Sequence, residues 1–299
     1  MPLFDWFLAL VTIFAWGINF LASKIALTEA PPLLFGALRF ILVAIPAIFF
    51  VRFPKAPLKT IIAYSLTINF LQFACMLSAI AFGLASGLTS LLMQWQAFFT
   101  VLIAALYFKE KIPIGLLVAF VIALIGMVLI VQGGNMDTAL PMSGLFAAIG
   151  AAFFWACGNI TIKKMPHVDM VSLVIWGGAM SIPAFALASY LIEGPELIQQ
   201  SLSQMGVKGW GGIAYAAYVS TLIGYVIWCK LLSRRPIALI APLTLLVPII
   251  GFISGYLAFG EKMTWVQWIG SAIVLLALGI NIFWLKIVKF LHLQAFRNK

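Results

Sequence analysis

Charged side chains are scarce in this chain of 299 residues. Lysine, arginine, aspartate and glutamate together make up 9% of it, whereas hydrophobic residues make up 64%. Water-soluble domains carry about a quarter charged residues, because they must cover their surface with polar groups. The composition therefore excludes a soluble globular protein and indicates a chain whose solvent is lipid.

Residues that bind metals or perform acid–base chemistry are also few. The sequence has 8 Asp and Glu, 2 His and 3 Cys, and Cys75, Cys157 and Cys229 stand inside apolar runs without the spacing of a metal site or a redox motif. His167 and His292 lie outside the long apolar runs, too far away to join a nucleophile or a base there. We expect no metal, no cofactor and no catalytic residues, and hence a protein that is not an enzyme.

Long apolar runs, by contrast, fill most of the chain. A transmembrane helix needs about 20 apolar residues, whereas a strand of an outer-membrane barrel needs about ten. The runs match the helical length, and little chain is left for a separate soluble domain. We predict an all-α, polytopic membrane protein of ten transmembrane helices, at 4–27, 32–52, 60–82, 86–107, 113–131, 142–163, 170–192, 210–232, 237–259 and 265–285.

The basic residues fall mainly on one side of these spans. If the N-terminus is cytoplasmic, 14 of the 18 Lys and Arg lie in cytoplasmic connections and the C-terminal tail. The opposite side carries Lys208 and Lys262 with most of the acids. This asymmetry predicts that both termini are cytoplasmic. It also accounts for the formal net charge of +10 without a nucleic-acid partner.

Two short elements recur along the chain. The segment Phe108-Lys-Glu-Lys111 reappears as Phe259-Gly-Glu-Lys262, and Asn19 with Lys24 reappears as Asn159 with Lys164. The recurrence predicts a duplicated chain.

The duplication divides the chain into a first five-helix repeat at 1–134, a second at 141–288 and a cytoplasmic tail at 289–299. Because each repeat has an odd number of spans, the second enters the membrane inverted relative to the first. Inverted repeats are typical of transporters, in which two halves rock around a site near the bilayer midplane.

Polar side chains inside spans are costly in lipid and usually face the protein interior or a cavity. They recur at helical spacing in three spans: Ser65, Asn69, Gln72 and Met76 in the third; Ser86, Thr89, Met93, Gln96 and Thr100 in the fourth; Thr221, Gly224, Tyr225 and Trp228 in the eighth. Each stripe either lines a pathway or joins neighbouring helices by hydrogen bonds. Gln94 lies about 200° around an ideal helix from Gln96, so we expect that both cannot face one cavity.

Two cations, Lys24 and Arg39, lie inside predicted spans away from the cytoplasmic ends. An unpaired arginine near mid-span costs roughly 2.5 to 3.5 kcal/mol, so Arg39 should have a partner. The partner is either a substrate carboxylate or a structural one, such as Glu29 or the carbonyls of a helix end. Lys24 is expected to extend its ammonium group to the membrane interface.

Two prolines stand in the ninth predicted span. Pro242 and Pro248 flank Thr244 in the ninth span, where each removes a backbone hydrogen bond; they act either as part of a gate or as simple helix kinks. No Asp, Glu or His stands in the middle of a span. Since proton relays use such groups, we expect that transport is not tightly coupled to protons through a buried carboxylate.

The pattern resembles the EamA branch of the bacterial drug/metabolite transporter superfamily over essentially the whole chain. The resemblance is carried by the Phe-x-Glu-Lys elements, by Trp16-Gly-Ile-Asn-Phe20 and by Arg39. More narrowly, Pro31–Phe40, Gln94–Thr100, Ala156–Ile160 and Leu243–Pro248 are similar to exporters of cysteine and O-acetylserine. Members of the family often have proline where Ala97 stands here.

The resemblance implies an inner-membrane exporter of small amino acids or their metabolites, of the cysteine and O-acetylserine class, that works by alternating access in the lipid bilayer. Its oligomeric state is open. A multidrug or other metabolite carrier of the same superfamily is the alternative, and a membrane scaffold or sensor is a further one. Arg39 is the expected contact for a substrate carboxylate, and the other expected substrate contacts are Asn19, Asn69, Gln72, Gln96, Tyr225, Trp228 and Thr244.

Overall fold

The described part of the chain is helical throughout. The computed structural model describes residues 2–109, 112, 114–133, 140–165, 167–234 and 241–297, and no strand occurs among them. The helices are α1 Leu3–Ala26, α2 Pro32–Ile48, α3 Leu58–Ala81, α4 Ser86–Phe108, α5 Ile114–Gln132, α6 Met142–Lys163, α7 Met170–Glu193, α8 Pro195–Gln204, α9 207–234, α10 Leu246–Phe259 and α11 Trp265–Arg297.

Eight of these helices are long and apolar enough to cross a membrane, and two more apolar stretches, Pro32–Ile48 and Leu243–Phe259, are shorter. Large apolar side chains also face outward: Phe50 is 87% exposed and Leu257 is 76% exposed. Such a surface is stable in lipid and not in water. The described chain is therefore a polytopic helical membrane protein, as predicted, while the count of ten spans and their inverted arrangement stay predictions.

Two helical features differ from the predicted spans. The connection expected between the seventh and eighth spans contains the short helix α8, whose residues are mostly polar, so that it gave no apolar run to detect. The last helix continues to Arg297 rather than ending near residue 285. Hydropathy detects the apolar part of a helix, whereas the hydrogen-bonded helix extends beyond it.

In the described part of the chain, the third, fourth and eighth predicted spans are interrupted in their interior. Wide π-helical turns occupy Ser65–Leu71 in α3 and Tyr215–Ile223 in α9, and α4 breaks between Met93 and Gln96. Each interruption changes which side chains share a face, because the spacing is no longer 3.6 residues per turn. The sequence pattern, which assumes regular helices, did not predict them.

The prolines of the predicted ninth span lie at the start of a helix and not within one. Residues 235–240 are outside the described part of the chain; a 3₁₀ turn follows at Ala241–Leu245, and α10 begins at Leu246. Pro248 is the third residue of α10, where a backbone N–H has no intrahelical partner in any case. Pro248 therefore removes no hydrogen bond from within α10, and its role in a gate stays a prediction. Pro242 belongs to the 3₁₀ turn, and its side chain is outside the described set.

The helices form two compact units, of which the first comprises Met1–Thr100 and Pro141–Glu261. Its core is rich in aromatic rings: Phe40 stacks on Phe185 at 5.8 Å between centroids and meets Phe73 edge-on at 5.5 Å. Gly36 lies against the Phe185 ring, where a Cβ would collide with it. Residue 36 must therefore be small for α2 and α7 to approach each other.

The second unit comprises Val101–Leu140 and Lys262–Lys299. Here α5 and α11 cross at Gly126 and Gly270, where a Cβ on either glycine would lie 2.6 Å from the carbonyl oxygen of the other. The hydroxyl of Thr264 donates to the carbonyl of Gly133. Close approach of small residues with a few interhelical hydrogen bonds is how helices associate in lipid.

Candidate functional site

A cavity of about 670 Å³ lies inside the first unit. Its volume is typical of sites for small molecules. Eight of the helices contribute to its wall: α1 to α4 together with α6, α7, α9 and α10. Seven of the eight residues predicted to contact a substrate line it: Asn19, Arg39, Gln72, Gln96, Tyr225, Trp228 and Thr244.

Among the described residues of this wall, Arg39 is the charged one. It is 1% exposed, and its Nε and Nη2 donate to the hydroxyl of Thr221 at 3.2 and 2.8 Å. The guanidinium carbon lies 4.0 Å from the centroid of the Phe73 ring. Nη1 has no hydrogen-bond partner within the described part of the protein. A buried cationic donor without an acceptor is costly, so this nitrogen is suited to bind an anionic group from the cavity.

The proposed structural partner of Arg39 is engaged elsewhere. Glu29 accepts hydrogen bonds from the backbone amides of Gly206 and Gly209, at 2.9 and 2.8 Å. The alternative in which Glu29 neutralises Arg39 is therefore wrong. Lys24 also differs from its expected position: instead of extending freely to the interface, its Nζ lies 2.7 Å from a carboxylate oxygen of Glu261.

An aromatic cluster of Trp16, Tyr225 and Trp228 forms another part of the wall. The Trp16 ring lies 5.6 Å from the ring of Tyr225 and 5.1 Å from that of Trp228. The indole N–H of Trp16 donates to the carbonyl of Ser220 at 3.1 Å, which fixes the ring. Asn19 follows Trp16 by one helical turn, on the same face of α1.

Amide side chains make up a third part of the wall. Asn159 Nδ2 donates to Gln96 Oε1 and to the Thr100 hydroxyl, both at 3.0 Å. Gln94 Nε2 donates to the carbonyl of Thr244 at 2.9 Å. Gln94 and Gln96 both line the cavity, which contradicts the expectation from an ideal helix. The break in α4 between Met93 and Gln96 explains the difference.

Asn69 is the predicted substrate contact that the structure does not place on the cavity wall. It is buried and packs against Gly177 of α7, where a Cβ would lie 2.9 Å from its Nδ2. Ser65, one step earlier in the same predicted stripe, donates to the carbonyl of Gly177. The π-helical turn of α3 directs these two side chains towards α7, while Gln72 and Met76 face the cavity.

Several residues of the wall were not among the predicted substrate contacts, for example Gln94, Asn159, Trp16 and Tyr64. Asn159 could have been found, because the repeat pairs it with Asn19. Trp16 stands in the segment that carries the family resemblance. Tyr64 gave no signal, since an aromatic residue in an apolar span is usually core. Within the described residues, no three His, Cys, Asp or Glu side chains come close enough to hold a metal ion.

The sequence profile of the EamA-like transporter family matches this chain over residues 4–132 and 142–283. The two matched segments together cover most of its length. The chain belongs to the EamA-like transporter family. The resemblance found in the sequence is thereby confirmed, and the protein is a multi-pass membrane transporter.

Two bacterial relatives are similar over nearly the whole transporter. A protein of Salmonella typhimurium is 42% identical over 283 residues, which cover 93% of this chain and 95% of that protein. A protein of Escherichia coli K12 is 40% identical over 292 residues, which cover 95% and 98%. Both carry the name probable amino-acid metabolite efflux pump.

The fold of the transporter also matches a solved crystal structure. The two chains superpose with a TM-score of 0.63 over 94% of this chain and 96% of the other, at 16% sequence identity. At this identity the likeness concerns the fold alone.

Proposed function

We propose that this transporter exports small amino acids or their metabolites, of the cysteine and O-acetylserine class, across the bacterial inner membrane. Ten spans, arranged as two inverted repeats at 1–134 and 141–288 with both termini in the cytoplasm, move the substrate by alternating access. The names of the two relatives support the substrate class. The cavity in the first unit supplies the binding site.

The observation that carries the proposal is the state of Arg39. Its guanidinium group is buried at the cavity wall with Nη1 unpaired, and every amino acid or amino-acid metabolite of this class has a carboxylate to offer it. A charge-assisted hydrogen bond in a site shielded from water is stronger than one in water, because the low dielectric no longer screens it. An uncharged apolar drug would leave Nη1 unpaired, which disfavours the multidrug alternative.

The polar walls supply the remaining contacts of the proposed site. Gln72 is 2% exposed, and its amide has only a 3.9 Å contact to the Met76 sulfur, so that it is available to a ligand. Gln96 and Tyr225 add an amide and a phenol on other sides of the cavity. A small polar molecule can thus exchange its water hydrogen bonds for protein ones as it enters.

An efflux assay tests the proposal. Cells that overexpress the chain should accumulate cysteine and O-acetylserine in the medium, and Arg39→Ala should abolish this while the protein still reaches the membrane. Arg52→Ala is the matched control, because Arg52 is an exposed arginine outside the cavity wall. If the Arg39→Ala variant exports both compounds normally, Arg39 does not bind the substrate. If the parent chain exports neither compound, the substrate class is wrong.

A further inference from the structure

Two residues of the cavity wall each have a buried polar atom without a hydrogen-bond partner among the described residues, and the two atoms are of opposite hydrogen-bonding sense. Asn19 is 4% exposed, and its Oδ1 has no hydrogen-bond partner within the described residues; Arg39 Nη1 is in the same situation. Both residues line the cavity described above. Asn19 thus offers a neutral acceptor and Arg39 a positively charged donor, and leaving either unpaired is unfavourable.

The asparagine that the sequence repeat pairs with Asn19 is in a different state. Asn159 Nδ2 donates to Gln96 Oε1 and to the Thr100 hydroxyl, so this side chain is held by its neighbours in the wall. Asn19 is not held in this way, and its Oδ1 is unpaired among the described residues. Its free acceptor therefore does not follow from the repeat and points to a ligand.

The wall around Asn19 holds aromatic rings and no carboxylate. Trp16, one turn away, packs on Tyr225 and Trp228, and none of the described residues that line the cavity is Asp or Glu. A substrate amine near Asn19 therefore meets a carbonyl oxygen and π faces. These attract an N–H donor without requiring a full positive charge.

We propose that the amine of the substrate donates a hydrogen bond to Asn19 Oδ1 while Arg39 binds the substrate carboxylate. This inference rests on the proposed function. The site then accepts any small carboxylic acid that carries a hydrogen-bond donor on C2. A 2-hydroxy acid keeps the carboxylate and one donor, so it is a ligand. A 2-oxo acid lacks the donor, and a decarboxylated amine lacks the anion, so both are poor ligands.

The test uses four compounds that share one side chain: L-cysteine, 3-mercaptolactate, 3-mercaptopyruvate and cysteamine. Each competes with labelled L-cysteine for uptake by proteoliposomes that contain the full chain, and each is also tested for thermal stabilisation of the purified protein. We expect mercaptolactate to bind within about tenfold of cysteine, and the other two to bind about tenfold more weakly or worse.

A change of charge at Asn19 tests its role. Asn19→Asp places an anion beside the amine, so the preference for cysteine over mercaptolactate should rise at least tenfold. Gln200→Glu makes the same amide-to-carboxylate change at an exposed residue outside the cavity wall and should leave the preference unchanged. Cysteine transport with mercaptolactate excluded, or an unchanged preference in Asn19→Asp, overturns the inference and leaves the proposed function intact. Absence of cysteine transport and binding in the parent chain overturns both.

A second, independent feature lies at one end of the first unit. Three glutamates, Glu29, Glu193 and Glu261, each accept hydrogen bonds from the backbone amides at the start of a helix far away in sequence. Glu29 binds Gly206 and Gly209, Glu193 binds Leu33 and Leu34, and Glu261 binds Ser86 and Gly87. We call these three contacts the carboxylate clamps.

Each clamp joins one predicted repeat to the other. Glu29 lies in the first half and its partners in the second; Glu193 and Glu261 lie in the second half and their partners in the first. The distances run from 2.6 Å, for Glu193 Oε1 and the amide of Leu33, to 3.5 Å. Anions at helix N-termini are favourable because the amides there are free and the helix dipole is positive.

The clamps share one end of the unit. Two of the clamps have one side within residues 24–34, where Glu29 follows α1 and Leu33 and Leu34 begin α2. Glu261, the carboxylate of the third clamp, is paired with Lys24 of the same stretch. The cavity reaches the other end, where Met170 begins α7, the helix that finishes at Glu193. The clamps thus close the end opposite to the one that the cavity reaches.

Glycines leave room for two of the clamps. A Cβ on Gly209 would lie 2.7 Å from a carboxylate oxygen of Glu29, and a Cβ on Gly255 would collide with the carboxylate of Glu261. From these contacts we infer that the carboxylate clamps are a gate, which must release before the cavity can open at this end. This inference rests on the alternating access of the proposed function.

Spin-label distances across the gate test it without any substrate. Labels are attached at Thr28→Cys and Val207→Cys, both exposed and next to the Glu29 clamp, in a background in which the native cysteines are replaced by alanine. Replacing all three glutamates by glutamine keeps the side-chain shape and removes the charge. In this triple variant, we expect the fraction of molecules with a longer distance between the two labels to rise at least tenfold.

The exposed acid Glu196 gives the matched control, since Glu196→Gln should leave the distances unchanged. If the triple variant does not fold, Glu29→Gln alone should still raise the longer-distance population severalfold. Unchanged distances in a folded variant overturn the gate. Because the readout is a distance, failure of the substrate proposal would show separately in the efflux assay.

Discussion

Thr221 decides whether Arg39 is held in place, and its hydroxyl can be removed with little change of shape. In Thr221→Val, Nε and Nη2 of Arg39 lose the oxygen to which they donate at 3.2 and 2.8 Å. A hydrogen bond to a charged group contributes about 1.5 to 3 kcal/mol. Arg39 is 1% exposed, so bulk water cannot replace the lost acceptor. We expect the affinity for a carboxylate substrate to fall about 10- to 100-fold.

The assay compares this variant with Thr221→Ser, which keeps the hydroxyl. Initial export rates at several internal cysteine concentrations give the apparent affinity, and thermal unfolding of the purified protein gives the stability. The Thr221 hydroxyl also donates to the carbonyl of Ala216 at 2.8 Å, so part of the loss will appear as stability. The serine variant should stay near the parent in both measurements. Export by Thr221→Val with the parent's affinity would refute the role given to Arg39.

Two further predictions concern stability. The Ser172 hydroxyl and backbone amide donate to Asp169, at 2.5 and 2.8 Å, and hold the pKa of its carboxyl below the usual 3.8. The stabilisation is complete above pH 3.8 and is lost as the pH falls through the lowered pKa. Asp169→Ala should therefore lower the free energy of unfolding by about 1 kcal/mol at neutral pH, as measured by chemical unfolding. Gly126→Ala places a Cβ 2.6 Å from the carbonyl oxygen of Gly270 and should lower the midpoint of thermal unfolding by overpacking. Gly279→Ala is the control, because a Cβ there would have no neighbouring atom within 4 Å, and its midpoint should not fall. Equal midpoints of the two variants would contradict the close contact between the helices.

Some of the candidate site could be predicted because helical spacing survives locally. Gln72 and Met76 share a face of a regular stretch of α3, and both line the cavity as their spacing indicates. Asn69 lies in the π-helical turn just before them, where the spacing changes, and the prediction failed there. The pairing of Lys24 with Glu261, 237 residues apart, left no local pattern to detect.

The sequence alone established that the protein is embedded in lipid and which family it belongs to. A chain with 9% charged residues and apolar runs of helical length can satisfy its backbone in lipid only as helices, and its motifs carried the family resemblance. Tertiary structure decided which polar groups are already satisfied: Asn159 is bonded within the wall, whereas Asn19 and Arg39 keep free atoms at the cavity. That difference depends on contacts between helices distant in the chain, and such contacts leave no periodic trace in the sequence.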